Sequence, residues 1–114
     1  MTNAQGDGKL VRDRIPEIIR EAGGSPESSV LSEEAYRPAL RAKLAEEVEE
    51  LLGATSLERV EEELADAVEV LMALATLDGI GWGAVEARRL SKRAERGGFD
   101  GRVWLARRPD GKWG

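Results

Sequence analysis

Two adjacent stretches with helical periodicity, separated by a short break, constrain the fold of this chain most strongly. Residues 32–52 and residues 56–77 each repeat apolar side chains at intervals of three or four. That spacing places the apolar side chains on one face of an α-helix. Because residues 53–55 can form only a short turn, we expect the two helices to pack antiparallel. The pattern therefore predicts an all-α bundle built on two long helices.

Capping and helix-breaking residues define the ends of the two long helices. Ser32 is the predicted N-cap of the first, and Pro38 is expected to split off a short first turn. Thr55 with Glu58 three residues later forms a capping-box pattern for the second. Gly53 marks the end of the first helix, so the break between the helices is well defined.

Shorter elements are predicted on both sides of the two long helices. Pro16 suits the first turn of a helix that begins at residue 15 or 16 and ends near residue 22. A fourth helix is predicted over residues 82–96, followed by two glycines, and residues 102–106 alternate enough to predict a short strand. We therefore expect one helical domain over residues 9–106, between a flexible tail and a loose C-terminal tail, residues 1–8 and 107–114.

Charge and missing residue types narrow the function. The formal charge of −5 argues against a nucleic-acid partner, because such proteins usually carry a basic surplus. The chain has no cysteine and no histidine, so any hydrolysis must use carboxylates and metal-bound water. The most apolar stretch, residues 67–77, is too short to span a bilayer. We expect a soluble, cytoplasmic protein with no membrane partner.

Two pairs of acids, each three residues apart, lie on the long helices: Glu47 with Glu50, and Glu63 with Asp66. Counting about 100° per residue places Glu47 at the edge of the apolar stripe of its helix, and Glu50 just beyond that edge. Glu63 falls inside the stripe of its helix and Asp66 near the border. The same count turns Glu46 toward water.

Of the four acids, Glu63 is the hardest to interpret as an ordinary solvent-exposed glutamate. A carboxylate inside an apolar stripe costs several kcal/mol unless it is paired or binds a metal. Lys43 and Arg59 lie off the best faces, so we expect no basic partner for it. If the helices are antiparallel, the two acid pairs face each other. Carboxylate oxygens suit Mg²⁺, with Mn²⁺ as a possible substitute.

Three segments together carry a family resemblance. They are the pattern E-x-x-E, a gap of twelve residues and E-x-x-D; KLVRDRIPEIIREAG at residues 9–23; and KRAERGGF at residues 92–99. In this order they resemble the MazG-like superfamily of all-α nucleoside-triphosphate pyrophosphohydrolases, in particular its short, stand-alone house-cleaning branch. The resemblance covers about residues 9–105.

The resemblance implies a Mg²⁺-dependent enzyme that cleaves a nucleoside triphosphate between its α- and β-phosphates, and that forms a homodimer or homotetramer. It implies four metal ligands, which are Glu47, Glu50, Glu63 and Asp66. Glu46 belongs to the same E-E-x-x-E pattern, and Glu46 and Glu47 are the candidates for activating water. This reading makes the nucleotide the main partner of the chain.

Cations are also needed to hold the phosphates. The candidates are Lys9, Arg12, Arg14, Lys92 and Arg96. Lys92 and Arg96 lie four residues apart on one helical face, just before the two glycines. Aromatic side chains that could stack on a base are Tyr36, Trp82 and Trp104.

Three alternatives stay open. A non-catalytic helical interaction module predicts acids that face outward and no metal dependence. A metal-binding relative without turnover would keep the acids but lose the reaction. A phosphoribosyl-ATP pyrophosphohydrolase shares the fold and the acid chemistry, although the opening at residues 9–19 resembles the house-cleaning branch more closely.

Overall fold

The computed structural model describes residues 7–114, which form four α-helices. They are α1 (Ile15–Glu21), α2 (Glu33–Gly53), α3 (Leu57–Leu77) and α4 (Trp82–Arg96). The predicted all-α class is confirmed. Of the predicted N-terminal tail, residues 1–6 lie outside the described part of the chain.

The predicted strand at residues 102–106 is not formed. A strand is stable only when a neighbouring strand accepts and donates its backbone hydrogen bonds. Residues 7–114 contain no second strand that could do so. Alternation of side chains was therefore an insufficient signal for this segment.

The chain divides into two compact units, Met1–Ile80 and Gly81–Gly114. The first unit contains α1, α2 and α3, and the second contains α4 and the segment that follows it. Each unit is described by itself below. The prediction of one domain over residues 9–106 stays a prediction.

Serine side chains cap both long helices. The Ser32 hydroxyl accepts a hydrogen bond from the Ala35 backbone N–H at 3.2 Å, as predicted for α2. For α3 the cap is Ser56, which accepts from the Arg59 N–H at 3.2 Å, so the capping box assigned to Thr55 was wrong by one residue. These bonds satisfy backbone donors that the first helical turn leaves free.

Pro38 lies inside a continuous α2, and the prediction that it splits off a first turn was wrong. Proline in a helix removes one backbone hydrogen bond and crowds the carbonyl four residues earlier. Pro38 is the sixth residue of α2, close enough to the N-terminus that only one short turn precedes it. The helix accommodates this loss and remains one element of 21 residues.

Helices α2 and α3 pack against each other across the short connection at residues 54–56. Among the described residues, the buried apolar side chains are few and mostly small: Ala35, Leu40, Val70 and Ala75. The other two buried residues are Glu47 and Glu63, and Glu63 is the largest side chain that is fully buried. The hairpin therefore encloses acids where a core would normally hold leucine or phenylalanine.

Parts of the predicted apolar stripes remain exposed on this unit. Val48 on α2 and Leu64 and Leu71 on α3 each expose about two-fifths to one-half of their surface. A face of this kind is typical of a surface that another protein covers. The stripe pattern predicted more burial than one chain provides.

The second unit contains no buried residue. Phe99, Val103 and Trp104 expose about nine-tenths of their surface or more, and the Arg107 guanidinium lies 4.2 Å from the centroid of the Trp113 ring.

Within residues 7–114, no single helix is both long and apolar enough to cross a membrane, although α3 and α4 together, with their bent break, meet the length and composition criteria.

Candidate metal centre

Three carboxylates from the two long helices meet at one point. Glu47 and Glu50 lie in the C-terminal part of α2, and Glu63 lies in the second turn of α3. Carboxylate oxygens of the three residues all lie within 4.8 Å of one another. The antiparallel turn thus brings together three of the four predicted ligands. Asp66, the fourth, lies one turn further along α3 and outside this group.

Each buried acid of the cluster has one oxygen paired and one unpaired. Glu47 is 4% exposed, and the Lys43 Nζ lies 3.3 Å from its Oε1. Glu63 is 2% exposed, and the Arg59 Nη2 donates to its Oε1 at 2.8 Å. The Oε2 atoms of both glutamates are buried and have no hydrogen-bond partner. Buried polar atoms without partners are rare in folded proteins, and a bound cation is one partner that would satisfy two neighbouring carboxylate oxygens.

The expectation that Glu63 lacks a basic partner was therefore wrong. Lys43 and Arg59 do start off the best helical faces, but their long side chains reach the acid four residues later. The rotation per residue around the helix predicts the direction of the Cβ atom. It does not predict where the charged end of a long, flexible side chain lies. The shared i, i+4 spacing was the signal that would have found both pairs.

Burial and neighbouring acids raise the pKa of Glu63 to about 7. Loss of hydration is the largest cause, followed by the close approach of the Glu47 and Glu50 carboxylates, while Arg59 opposes the shift. Without a metal, the cluster therefore retains a proton near neutral pH. Because Lys43 and Arg59 are each shared with a second acid, the cluster keeps an excess of negative charge that a shared proton or a further cation would offset.

The donor set fits a hard divalent cation. All the available atoms are carboxylate oxygens, and two of them are buried without partners. Glu50 is exposed, so the cluster is open to solvent on its side. Mg²⁺ prefers a few carboxylates together with waters and phosphate oxygens, which an open carboxylate cluster allows. The geometry therefore supports a site for Mg²⁺ or Mn²⁺.

The segment before α1 supplies basic side chains to the neighbouring acids. The Arg12 Nη2 donates to Asp66 Oδ1 at 2.8 Å, and this bond is the main cause that raises the pKa of Arg12. The Lys9 Nζ donates to Glu46 Oε2 at 3.3 Å. Two of the predicted phosphate contacts thus lie beside the acid cluster. Arg14 does not, because it pairs with Glu17 on α1.

Glu46 is held by two lysines. The Lys43 Nζ donates to its Oε1 at 3.1 Å, and Lys9 contacts its Oε2. The bond from Lys43 is the main cause that lowers the pKa of Glu46, so this carboxylate stays ionised at neutral pH. Its side chain is half-buried, and the expectation that it faces water was too simple.

A cavity of about 700 Å³ lies beside the cluster, between the segment before α1 and the α2–α3 hairpin. Polar side chains of the predicted site line it, together with apolar ones; the lining includes Lys9, Arg12, Tyr36, Leu40, Lys43, Glu47, Asp66 and Val70. Tyr36 is the predicted aromatic contact that the structure places here. Trp82, Trp104, Lys92 and Arg96 belong to the second unit.

The family model for phosphoribosyl-ATP pyrophosphohydrolase matches residues 12–93, a range that contains the whole acid cluster. The chain belongs to this family, within the MazG-like all-α superfamily that the sequence pattern resembles.

Part of the chain is similar to a curated relative. An uncharacterized protein of Mycolicibacterium smegmatis is 56% identical over 46 residues, which cover 40% of this chain and 47% of that protein. The chain thus spans about half the length of the curated relative it matches. No solved structure matches it.

Proposed function

We propose that this protein is a Mg²⁺-dependent nucleoside-triphosphate pyrophosphohydrolase, which cleaves between the α- and β-phosphates and releases a monophosphate and pyrophosphate. The observation that carries the proposal is the pair of buried oxygens without partners, Glu47 Oε2 and Glu63 Oε2, inside a cluster of three carboxylates. Family membership supports the reaction class. The burial of both acids argues against the interaction module, which needs acids that face outward.

Glu47, Glu50 and Glu63 would hold the metal, and Asp66 would join them once Arg12 releases it. A bound Mg²⁺ or Mn²⁺ lowers the pKa of a coordinated water and offsets the charge of the phosphates. Glu46 and Glu47 are the candidates to accept a proton from the attacking water. Glu46 remains ionised because two lysines contact it, so it is available for this role.

The basic side chains beside the cluster would bind the phosphate chain. Arg12 and Lys9 lie on the cavity wall and are already directed toward the acids. When a phosphate approaches, Arg12 exchanges one anionic partner for another and frees Asp66. Lys92 and Arg96 are proposed to add to this charge, and Tyr36 to stack on the base.

A second substrate, phosphoribosyl-ATP, is favoured by the name of the matching family. Its hydrolysis breaks the same type of bond between α- and β-phosphates. It carries an additional ribose phosphate, however, and would need an additional anion contact. The house-cleaning role on non-canonical nucleotides remains the first proposal, because the segments at residues 9–23 and 92–99 resemble that branch.

The exposed apolar side chains on α2 and α3 support assembly into a homodimer or homotetramer, because a second copy would cover them. A cytoplasmic location would give the enzyme access to the nucleotide pool.

Pyrophosphate release from a substrate panel tests the proposal. The panel contains canonical, deoxy, oxidised and deaminated triphosphates and phosphoribosyl-ATP, each with Mg²⁺, with Mn²⁺ and with a chelator. We expect turnover of at least one triphosphate that requires the metal. Turnover of phosphoribosyl-ATP alone would select the second substrate, and metal-independent turnover or none would overturn the proposal.

A further inference from the structure

The two buried glutamates share one local arrangement. In α2, Lys43 contacts Glu46 and Glu47, three and four residues later. In α3, Arg59 contacts Glu62 and Glu63 at the same two spacings. The sequence reads K-x-x-E-E in one helix and R-x-x-E-E in the other, sixteen residues further on. The acid site is thus built from a repeated unit of cation, anchoring acid and buried acid.

We propose that Lys43 and Arg59 are positioning residues, each of which holds one oxygen of the buried glutamate so that the other oxygen faces the metal position. The inference rests on the proposed function, because it assigns these cations a role in preparing that site. It adds two residues, outside the E-x-x-E and E-x-x-D pattern, that determine how well the site binds a cation.

The division of contacts supports positioning over simple neutralisation. Arginine can bind both oxygens of one carboxylate with its planar fork. Arg59 instead places Nη1 on Glu62 at 3.0 Å and Nη2 on Glu63 at 2.8 Å, and leaves Glu63 Oε2 without a partner. The exposed Glu62 therefore anchors the guanidinium, which in turn fixes the buried carboxylate.

Lys43 is held in the corresponding way. Its Nζ lies 3.1 Å from Glu46 Oε1 and 3.3 Å from Glu47 Oε1, and Glu47 Oε2 has no partner. The Lys43 side chain is only 17% exposed, against 55% for Arg59. Water competes less with the buried contact, so we expect the larger effect at Lys43.

The direction of the change in metal affinity separates the two interpretations. A cation that only neutralises the acids also repels a metal, so its removal would tighten metal binding. A cation that fixes the carboxylate lowers the cost of assembling the site, so its removal would weaken binding. Partners that orient metal ligands typically contribute about 10- to 100-fold to metal affinity or activity.

Calorimetric titration of the full chain with Mg²⁺ and Mn²⁺ alone, at pH 8.5, tests the inference. We expect Lys43→Met to weaken binding roughly 10-fold or more and Arg59→Met somewhat less. Lys43→Arg and Arg59→Lys should recover most of the affinity. Arg37→Met is the matched control, because it breaks an ion pair with Asp78 outside the cluster and should leave metal affinity unchanged.

Turnover adds a second readout. The Lys43→Met and Arg59→Met variants should regain activity as the Mn²⁺ concentration rises, since the defect lies in metal binding. Unchanged or tighter metal binding in both variants would overturn the inference, while failure of the wild-type chain to bind either metal would overturn the proposed function itself. If Lys43→Met does not fold, the more exposed Arg59→Met decides the question.

Discussion

The two units of this chain differ in what they bury and in how their charges are arranged. Residues 1–80 contain 18 acidic and 8 basic side chains, whereas residues 81–114 contain 4 acidic and 9 basic ones. The acidic unit buries two glutamates, while the basic unit buries nothing and exposes large apolar side chains. In the acidic unit each buried glutamate is paired through one oxygen with a cation of its own helix, Lys43 or Arg59.

Most cations of the first unit are already committed. Four of them contact acids in or beside the cluster, namely Lys9, Arg12, Lys43 and Arg59. In the second unit, Lys92 and Arg96 form no ion pair within residues 7–114. The two units thus differ in whether their basic side chains are already paired with acids.

The largest expected effect is the loss of activity when a buried acid is replaced, compared with replacement of an exposed acid. Glu63→Gln removes a metal ligand, and we expect pyrophosphate release to fall by about 100-fold or more. Glu95→Gln, on the exposed surface of α4, should leave the rate unchanged. Full activity of the Glu63→Gln enzyme, measured with saturating Mg²⁺, would contradict the ligand assignment.

A smaller effect is expected from the uncommitted cations. The double variant Lys92→Ala with Arg96→Ala should raise KM for the triphosphate about 10-fold or more, since one hydrogen bond to a charged group contributes about 1.5–3 kcal/mol. The matched change, Lys112→Ala, should not alter KM. Initial rates over a range of substrate concentrations measure both, and equal KM values would remove these residues from the site.

The raised pKa of Glu63 predicts an unusual pH dependence of stability for the metal-free chain. The folded state holds this proton up to about pH 7, whereas the unfolded carboxyl loses it near the ordinary value of 4.5. The stabilisation is complete below the lower value and is lost as the pH rises through the higher one. Urea unfolding with a chelator should therefore show a lower midpoint at pH 8 than at pH 5.

Two further measurements sharpen this result. Glu63→Gln has no proton to lose, so its midpoint should vary less over the same range. Added Mg²⁺ should restore the midpoint most strongly at pH 8, where metal and proton no longer compete. A wild-type midpoint that rises from pH 5 to pH 8 without metal would rule out the proposed state of the cluster.

The smallest effect compares the helix caps of the two units. Ser56 caps α3 with its hydroxyl, and Ser56→Ala should cost about 1 kcal/mol of unfolding free energy. Helix α4 begins after Gly81, which provides no side-chain cap although its backbone is extended (φ −68°, ψ 140°). Gly81→Ser should raise helix stability by a few tenths of a kcal/mol. Denaturant titration for Ser56→Ala and helical circular dichroism for Gly81→Ser measure these changes.

Local signals predicted most of the helices. The bounds of α4 agree with the prediction over residues 82–96, because a glycine pair ends the helix whatever its surroundings. Features that depend on tertiary contacts were harder to predict. Whether Thr55 or Ser56 caps α3 depends on where the chain turns, and whether residues 102–106 form a strand depends on a partner strand.

The sequence predicted the acids of the cluster better than the basic residues that contact them. Helical angles bring Glu47, Glu50 and Glu63 together, because all three follow from backbone geometry and one short turn. The pairing of Arg12 with Asp66, 54 residues apart, depends on how the N-terminal segment crosses the hairpin, which no local pattern encodes. The i, i+4 spacing on the helix, together with the length of the side chains, brings Lys43 and Arg59 into the site.

The short turn between α2 and α3 also has a kinetic consequence. Contacts between residues close in sequence form quickly, because little loop entropy is lost when they meet. Glu47 and Glu63 are separated by sixteen residues and meet in the folded hairpin, so we expect the hairpin and the acid cluster to form together and early in folding. A cation present at that moment would offset the mutual repulsion and so increase the folding rate.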